Sequence, residues 1–250
     1  MSDNPSVLAV IPARGGSKRL PRKNILPLAG YPVIAYTIKA AQSAARLTHW
    51  LVSTDDEEIA ALARDYGAPV PFLRPAALAG DTDRNSAVMR HALEWMEREH
   101  GLRYDVVMLL QPTSPIRKST HIDEAVELLW ASPLPTLASV KGPIYKRDPY
   151  IKAVRNGMLE PYNPAEDEAH WEPCYTYNAS IYAMKRDFFV REQRFVSQRS
   201  VPLLMDRYHS ADIDEEIDLV IAETYLTRLG LSPFAMAGGE GGARASGTAR

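Results

Sequence analysis

Residues 12 to 24 read Pro12-Ala13-Arg14-Gly15-Gly16-Ser17-Lys18-Arg19-Leu20-Pro21-Arg22-Lys23-Asn24, and five of the ten residues from Arg14 to Lys23 are cationic. Two adjacent glycines let backbone N–H groups turn inward on an anion, while Arg14, Lys18 and Lys23 offer forked and mobile positive groups to a polyphosphate. The chemistry such a loop serves is phosphate binding with charge neutralisation. It is not a Walker A loop, because the chain has no Gly-Lys dipeptide, and its spacing is not G-x-G-x-x-G; ATPase and dinucleotide-binding readings lose ground.

The run Asp212-Ile213-Asp214-Glu215-Glu216-Ile217-Asp218 supplies the complementary charge. In an extended stretch Asp212 and Asp214 share one face. Two hard oxygen ligands with room for water and substrate phosphates match the way Mg²⁺ binds. The same residues also suit a helix start, with Asp214 as N-cap and Glu215, Glu216 and Asp218 favoured by the helix dipole. Thr54 to Glu58 reads as capping of the same kind.

Leu109-Leu110-Gln111-Pro112-Thr113-Ser114-Pro115-Ile116-Arg117 is a proline-fixed loop that presents Gln111, Thr113, Ser114 and Arg117. Gln111 both donates and accepts, so it can read a sugar or a base. The alternative is a turn before a helix capped by Ser119 or Thr120. Asp81-Thr82-Asp83-Arg84-Asn85-Ser86, after Leu73-Arg74-Pro75, is polar enough to contact base or ribose and equally suits a helix cap. A cationic glycine loop and paired aspartates together point to in-line attack on a nucleotide phosphorus, with Mg²⁺ and cations stabilising the departing pyrophosphate. The six histidines show no metal spacing and there is no G-x-S-x-G elbow, so zinc and hydrolytic triads are not expected.

These segments need elements to hold them. Val7–Ile11 is a continuous apolar run stopped by Pro12, the pattern of a strand buried on both faces, and is expected to be the central first strand. Helical spacing over Ile34–Ala45, a strand at His49–Val52 and a helix over Asp56–Tyr66 continue a β-α-β-α rhythm. Val70–Leu73 reads as a short strand, Asn85–Glu99 as a helix, Val106–Leu110 as a strand and His121–Trp130 as a helix. Leu137–Val140 and Ala179–Met184 are strands, and Ile217–Leu229 is a closing amphipathic helix. The expected fold is α/β, a mostly parallel Rossmann-like sheet with ligands beyond the carboxyl ends of its strands. Between Lys146 and Tyr177 the rhythm breaks: Asn156-Gly157 between strand-like Tyr150–Val154 and Met158–Glu160 predicts a hairpin arm, spanning about 143–177. The aromatic residues Tyr162, Trp171, Tyr175 and Tyr177 suit an interface or a pocket wall.

The chain has 250 residues, 46% of them hydrophobic, enough for one large domain, here 1–231. With 29 Lys plus Arg against 31 Asp plus Glu, the net charge of −2 provides no global field for nucleic acid or anionic lipid. The single cysteine, Cys174, cannot form an internal disulfide and fits a reducing compartment. The first residues lack a positive n-region and no apolar run approaches a membrane span, so a soluble, cytoplasmic protein is expected. Residues 232–250, rich in Gly, Ala, Ser and Arg, are expected to be a disordered tail.

The segment Ile11 to Asn24 closely resembles the signature of the acylneuraminate cytidylyltransferase (CMP-sialic acid synthetase) family. Further resemblances follow in order: Ser53-Thr54-Asp55, Leu73-Arg74-Pro75, Leu110 to Arg117, Tyr177-Asn178-Ala179-Ser180-Ile181-Tyr182 and Asp212-Ile213-Asp214, within a likeness from Val7 to Leu226. The resemblance implies a nucleotidyltransferase domain with an arm reaching across a homodimer. It also implies transfer of CMP from CTP to a 2-keto-3-deoxy acid sugar such as a sialic or legionaminic acid. By resemblance, Arg14, Gly15, Gly16, Ser17, Lys18 and Lys23 hold the CTP phosphates, with Lys18 or Arg14 offsetting charge on pyrophosphate, Asn24 orders this loop and its ligand, and Ala13 belongs to the nucleotide-binding set. Arg74, Asp83 and Asn85 fall on the cytosine and ribose side. Gln111, Ser114, Tyr177 and Asn178 fall on the acid-sugar side, and Asp212 and Asp214 are the Mg²⁺ ligands, Asp214 doubling as the base. One departure stands out: Thr176-Tyr177-Asn178-Ala179 replaces a motif that often begins with arginine, and Lys141, Lys146, Arg147 or Lys152 are candidates to restore that cation. A cytidylyltransferase for another acid, such as a phosphonate, and a non-catalytic CTP-sensing module are the competing readings.

Overall fold

The computed structural model describes residues 4–17, 19–78, 85–144, 152–155, 158–161 and 174–234. Strand β1 (Val7–Pro12) is buried along its whole length. Val7, Ala9 and Ile11 enter one apolar cluster, and Leu8 and Val10 enter another on the opposite face. Such alternation into two cores explains why the run is continuously apolar. Each fully buried Val, Leu or Ile contributes about 1.5–3 kcal/mol.

The chain continues through a ribbon of β2 (Pro27–Leu28) and β3 (Tyr31–Pro32), turned by Ala29 and Gly30 at φ 46° and 86°, the positive pair of a two-residue hairpin turn. Helix α1 (Val33–Gln42) leads to β4 (His49–Ser53), and α2 (Glu57–Asp65) starts at Asp56, whose carboxylate accepts from the Ile59 N–H. Then come α3 (Asn85–His100), β5 (Val106–Leu110) and α4 (Ser119–Ala131). Strand β6 (Thr136–Ile144), the hairpin β7 (Lys152–Arg155) and β8 (Met158–Pro161), and β9 (Cys174–Lys185) follow. Helix α5 (Arg186–Glu192), β10 (Val201–Met205) and α6 (Glu216–Arg228) close the fold.

The six-stranded sheet runs β10-β6-β9-β5-β1-β4, parallel except for β9, which is antiparallel to both neighbours. Residues of α1, α2 and α4 cover one face, and residues of α3 and α5 cover the other. The expected mostly parallel α/β fold is therefore present. The chain steps from β1 outward to β4 and returns to the other side of β1 as β5, so the strand order reverses between β1 and β5. That switch point is where open α/β sheets bind ligands.

Several expectations need correction. Strand β1 lies one place from the β4 edge, and the sheet's middle is β9 and β5. Val70–Leu73 forms only a single bridge, between Thr54 and Leu73. Ser119 and Thr120 are the first residues of α4 and do not cap it; His121 Nδ1 accepts from the Lys118 N–H at 3.2 Å instead. Within the segment 143–177, β6 runs on to Ile144 and pairs there with Cys174 of β9, so both ends of that segment belong to the main sheet. The predicted hairpin is present in β7 and β8, while its Asn156-Gly157 turn, with Tyr162 and Trp171, lies outside the described residues. Phe234, inside the expected tail, stacks on Tyr31 at 4.0 Å and packs with the α6 cluster; residues 235–250 lie outside the described residues.

Candidate active site

The loops after β1 and β5 open onto a cavity of about 710 Å³. Its lining includes Pro12, Arg14, Ser17, Arg19, Lys23, Asn24, Arg74, Asn85, Gln111, Pro112, Thr113, Ala179, Asp212 and Asp214. Segments separated by up to 200 residues thus meet at the switch point.

The glycine loop is held from within. Asn24, buried, donates from Nδ2 to the Arg14 carbonyl at 3.1 Å. Arg22 takes a left-handed backbone at φ 57° and grips Asp56 Oδ2 at 2.6 Å and Glu58 Oε2 at 2.5 Å. The guanidinium beside Asp56 holds that carboxyl below its ordinary value. Gly15 is sterically required: a Cβ there would overlap the Asp56 carboxylate and lie 3.0 Å from Asp56 Cβ. Gly16 faces open space. Ala13 is buried and ties the loop to β4 through its N–H to Ser53 O.

Residues 54–58 do more than cap. Asp56 is the N-cap, as expected, but Asp55 Oδ1 accepts from Gly15 N at 3.3 Å and from Arg74 Nη2 at 2.6 Å. Asp55 is a site residue that capping arguments missed. An acidic pair where one cap suffices was the available signal.

Across the loop, Lys23 Nζ reaches Asp214 Oδ1 at 3.0 Å and the Ile213 carbonyl at 3.2 Å, and Arg19 Nη1 meets Asp214 Oδ2 at 3.0 Å. Asp214 is therefore not the N-cap of α6. Glu215 holds that position, and Asp218 Oδ2 accepts from the backbone N–H groups of Asp214 and Glu215 at 2.9 and 2.8 Å. Asp212 accepts from Thr113 Oγ1 at 2.6 Å. Burial, with added repulsion from Asp214, raises its carboxyl above the ordinary value. Arg19 and Thr113 are the further partners that motif reading left without a role.

The acceptor-side expectations divide. Gln111 lines the cavity. Ser114 is buried at 1% exposure and Arg117 at 3%, so the loop does not present them. Asn178 is likewise buried and works inside β9, accepting from Ser139 Oγ at 2.5 Å and donating to Ser210 Oγ at 2.9 Å. Ala179 beside it lines the cavity at φ 59°. Tyr177 instead faces an adjoining cavity of about 490 Å³ with Asn85, Tyr182, Arg194 and Phe195. Lys141 is exposed on β6, and Lys152 belongs to β7. Lys18, Asp83, Lys146 and Arg147 lie outside the described residues.

Fold and cavity define an α/β protein with a cationic cleft at a topological switch point, and comparison with known sequences gives the class. The cytidylyltransferase family profile matches residues 8–221. The CMP-N,N'-diacetyllegionaminic acid synthase of Legionella pneumophila is 38% identical over 224 residues, 87% of this chain and 94% of that protein. The N-acylneuraminate cytidylyltransferase of Escherichia coli is 33% identical over 87% of this chain and 51% of that larger protein. A structure of CMP:2-keto-3-deoxy-manno-octonic acid synthetase complexed with CTP has the same fold, with TM-score 0.67 at 16% identity, over 90% of this chain and 99% of that one. The chain belongs to the cytidylyltransferase family.

Proposed function

We propose that the protein is a CMP-sugar synthetase that transfers CMP from CTP to a nonulosonic acid, releasing pyrophosphate. The observation that carries this reading is one cavity at the β1/β5 switch point that joins the cationic glycine loop, Asp212 and Asp214, and Gln111. The relatives named for legionaminic and N-acylneuraminic acids support the acceptor class.

In the reaction, an acceptor hydroxyl oxygen bonds to the α-phosphorus of CTP. The bond from that phosphorus to the bridging β-phosphate oxygen breaks, and pyrophosphate leaves with the electron pair. Arg14, Lys23 and, from its place in the loop, Lys18 stabilise the charge that builds on the leaving group. Asn24 and Asp55 keep the loop in shape, and Asp55 also orients Arg74 on the nucleotide side. Gln111 orients the acceptor, and the carboxylate wall of Asp212 and Asp214 receives the hydroxyl proton.

That wall also fits Mg²⁺. Asp212 and Asp214 both line the open cavity, which leaves room for water and phosphate oxygens as the further ligands that Mg²⁺ takes. When bound by Asp212 and Asp214, the ion would supply Lewis-acid stabilisation of phosphate oxygens. The β7–β8 hairpin pairs with no other strand among the described residues, and with the family resemblance it supports an arm-mediated homodimer.

Pyrophosphate release from CTP and Mg²⁺, measured with sialic, legionaminic and pseudaminic acids, 3-deoxy-octulosonate and simple phosphonates, tests the reading. Turnover with a nonulosonate is the expected result; release with phosphonates alone would overturn the acceptor class. In the same assay Gln111→Ala should raise the acceptor KM about tenfold, the equivalent of about 1.4 kcal/mol, and the KM for CTP far less.

A further inference from the structure

Arg117 ends the loop that follows β5, and its guanidinium is fully enclosed. Nη1 donates to Ser180 O at 2.7 Å, Ser180 Oγ at 3.2 Å and Gln111 O at 3.2 Å; Nη2 donates to Thr37 Oγ1 at 2.8 Å and Gln111 O at 3.3 Å. Every one of these acceptors is neutral, and no carboxylate among the described residues pairs with this guanidinium. Burying a charge without a counter-charge is costly, and removal from water pushes the Arg117 pKa down to about 9, which still leaves it charged at neutral pH.

Its place gives the charge a use. Gln111 and Ser180 flank the cavity wall formed by Gln111, Pro112 and Ala179, so the guanidinium lies one layer behind that wall. Among the described residues that wall carries no cation. The cationic residues that line the cavity, Arg14, Arg19, Lys23 and Arg74, all belong to the glycine loop and the nucleotide side. A charge screened by little water acts over a longer range than an exposed one.

We propose that Arg117 is a positioning residue for the acceptor: it fixes the Gln111 carbonyl and the β9 backbone, and its uncompensated charge behind the wall favours an anionic acceptor over a neutral one. This rests on the reading of the cavity as the place where an acid sugar meets CTP. It also locates a positive charge on the acceptor side, where Thr176 and Tyr177 provide none.

The test is steady-state pyrophosphate release by the full chain with CTP and a nonulosonic acid, beside the same sugar with its carboxyl converted to the primary amide. Wild type should prefer the acid in kcat/KM. Arg117→Met should raise the acceptor KM about tenfold, leave the KM for CTP within about twofold and shrink the acid-over-amide preference several-fold. Arg117→Lys, which keeps the charge and loses the fork, should retain the preference while the acceptor KM rises. An undiminished preference in Arg117→Met, or acceptor and CTP KM values rising together, would overturn the inference, because loosened packing alone gives that pattern.

If Arg117→Met does not fold, Thr37→Val decides the positioning half. It removes one neutral acceptor, so the acceptor KM alone should rise with the acid preference intact, and an unchanged acceptor KM counts against the proposal. Wild type that turns over no acid sugar defeats the functional reading itself; normal wild-type turnover with a flat response at Arg117 defeats only this inference.

Discussion

The two walls of the cavity are built on opposite plans. On the glycine-loop side the charges are matched to one another: the partly exposed Lys23 and Arg19 on Asp214, the buried Arg74 on Asp55, Arg22 on Asp56. On the β5–β9 side the described lining, Gln111, Pro112, Thr113 and Ala179, is neutral, and Arg117 is buried behind it. Cations at a surface can be exchanged directly onto phosphate oxygens when CTP enters, whereas a buried guanidinium can only shape and polarise what lies in front of it. The first plan suits a ligand with several negative charges. The second suits a ligand with one.

The strongest way to break this comparison is to remove charges from the matched wall. On the proposed reading, in which Asp214 holds Mg²⁺ and Lys18 of the glycine loop meets pyrophosphate, Lys18→Ala and Asp214→Asn should each lower turnover about 10²-fold or more. Melting temperatures should stay close to wild type, because the Asp214 pairs are partly exposed and such pairs add little stability. Wild-type rates of pyrophosphate release in either variant would remove these residues from the reaction.

The two glycines sharpen the same wall. In Gly15→Ala the new Cβ must displace the Asp56 carboxylate, which caps α2 and holds Arg22, so a stability loss of about 1–2 kcal/mol is expected. Gly16→Ala meets open space and should stay within about 0.5 kcal/mol. Equal melting temperatures for the two variants would mean that the loop does not lean on Asp56.

The matched wall was legible in the sequence because its chemistry is local. Arg14 to Asn24 is one contiguous segment, and Asp212 and Asp214 are two residues apart, so residue type and spacing were enough. The continuous apolar runs of β1 and β5 likewise announced buried strands. The opposite wall is assembled across the sheet. Nothing local in Asn178 tells that it faces Ser139 and Ser210, or in Arg117 that Ser180 and Thr37 enclose it. Ser114 and Arg117 read as presented polar groups, and resemblance places Asn178 on the acid-sugar side, because burial on a mixed sheet is set by which strands pair. Asp55 was hidden for a different reason, since a neighbouring acid already explained the helix start.

The start of α4, next to Arg117, should also respond to acid. His121, at the start of α4, packs edge-on against His209 at 5.1 Å, and His209 Nδ1 lies 2.7 Å from Asp206 Oδ2. Burial, followed by the neighbouring His209, Lys118 and Arg117 charges, pushes His121 down to about 4. Below the ordinary histidine value of about 6.5, the unfolded chain then binds a proton that the folded chain refuses, so stability is full above that pH and falls as pH drops toward 4. Between pH 7 and 5 the full linkage is about 2 kcal/mol, of which about half remains because His121 is partly exposed, a melting shift of about 2–4 °C. His49 and His91, also held low by burial, contribute slope of the same sign. The check is therefore a difference: His121→Asn, whose carbonyl can still accept from Lys118 N, should melt with a shallower acid slope than wild type. Parallel curves would remove His121 from the acid response.

The smallest expected effect lies where the two walls are closest to each other in design. Ala179 sits on the cavity at φ 59°, a backbone region in which a Cβ costs about 1–2 kcal/mol. Ala179→Gly relieves that strain and returns part of it as entropy of the unfolded chain, leaving a net gain of about 0.5 kcal/mol and a rise of about 1–2 °C in Tm. The β9 backbone is pinned on both sides, by Asn178 to Ser139 and Ser210 and by Ser180 to Arg117. The strain is therefore stored in a segment that cannot relax by moving. If Ala179→Gly melts at the wild-type temperature or lower, the pinning is weaker than these hydrogen bonds imply. A Tm gain accompanied by a higher acceptor KM would instead show that the methyl group, and not only the backbone beneath it, forms part of the acceptor's wall.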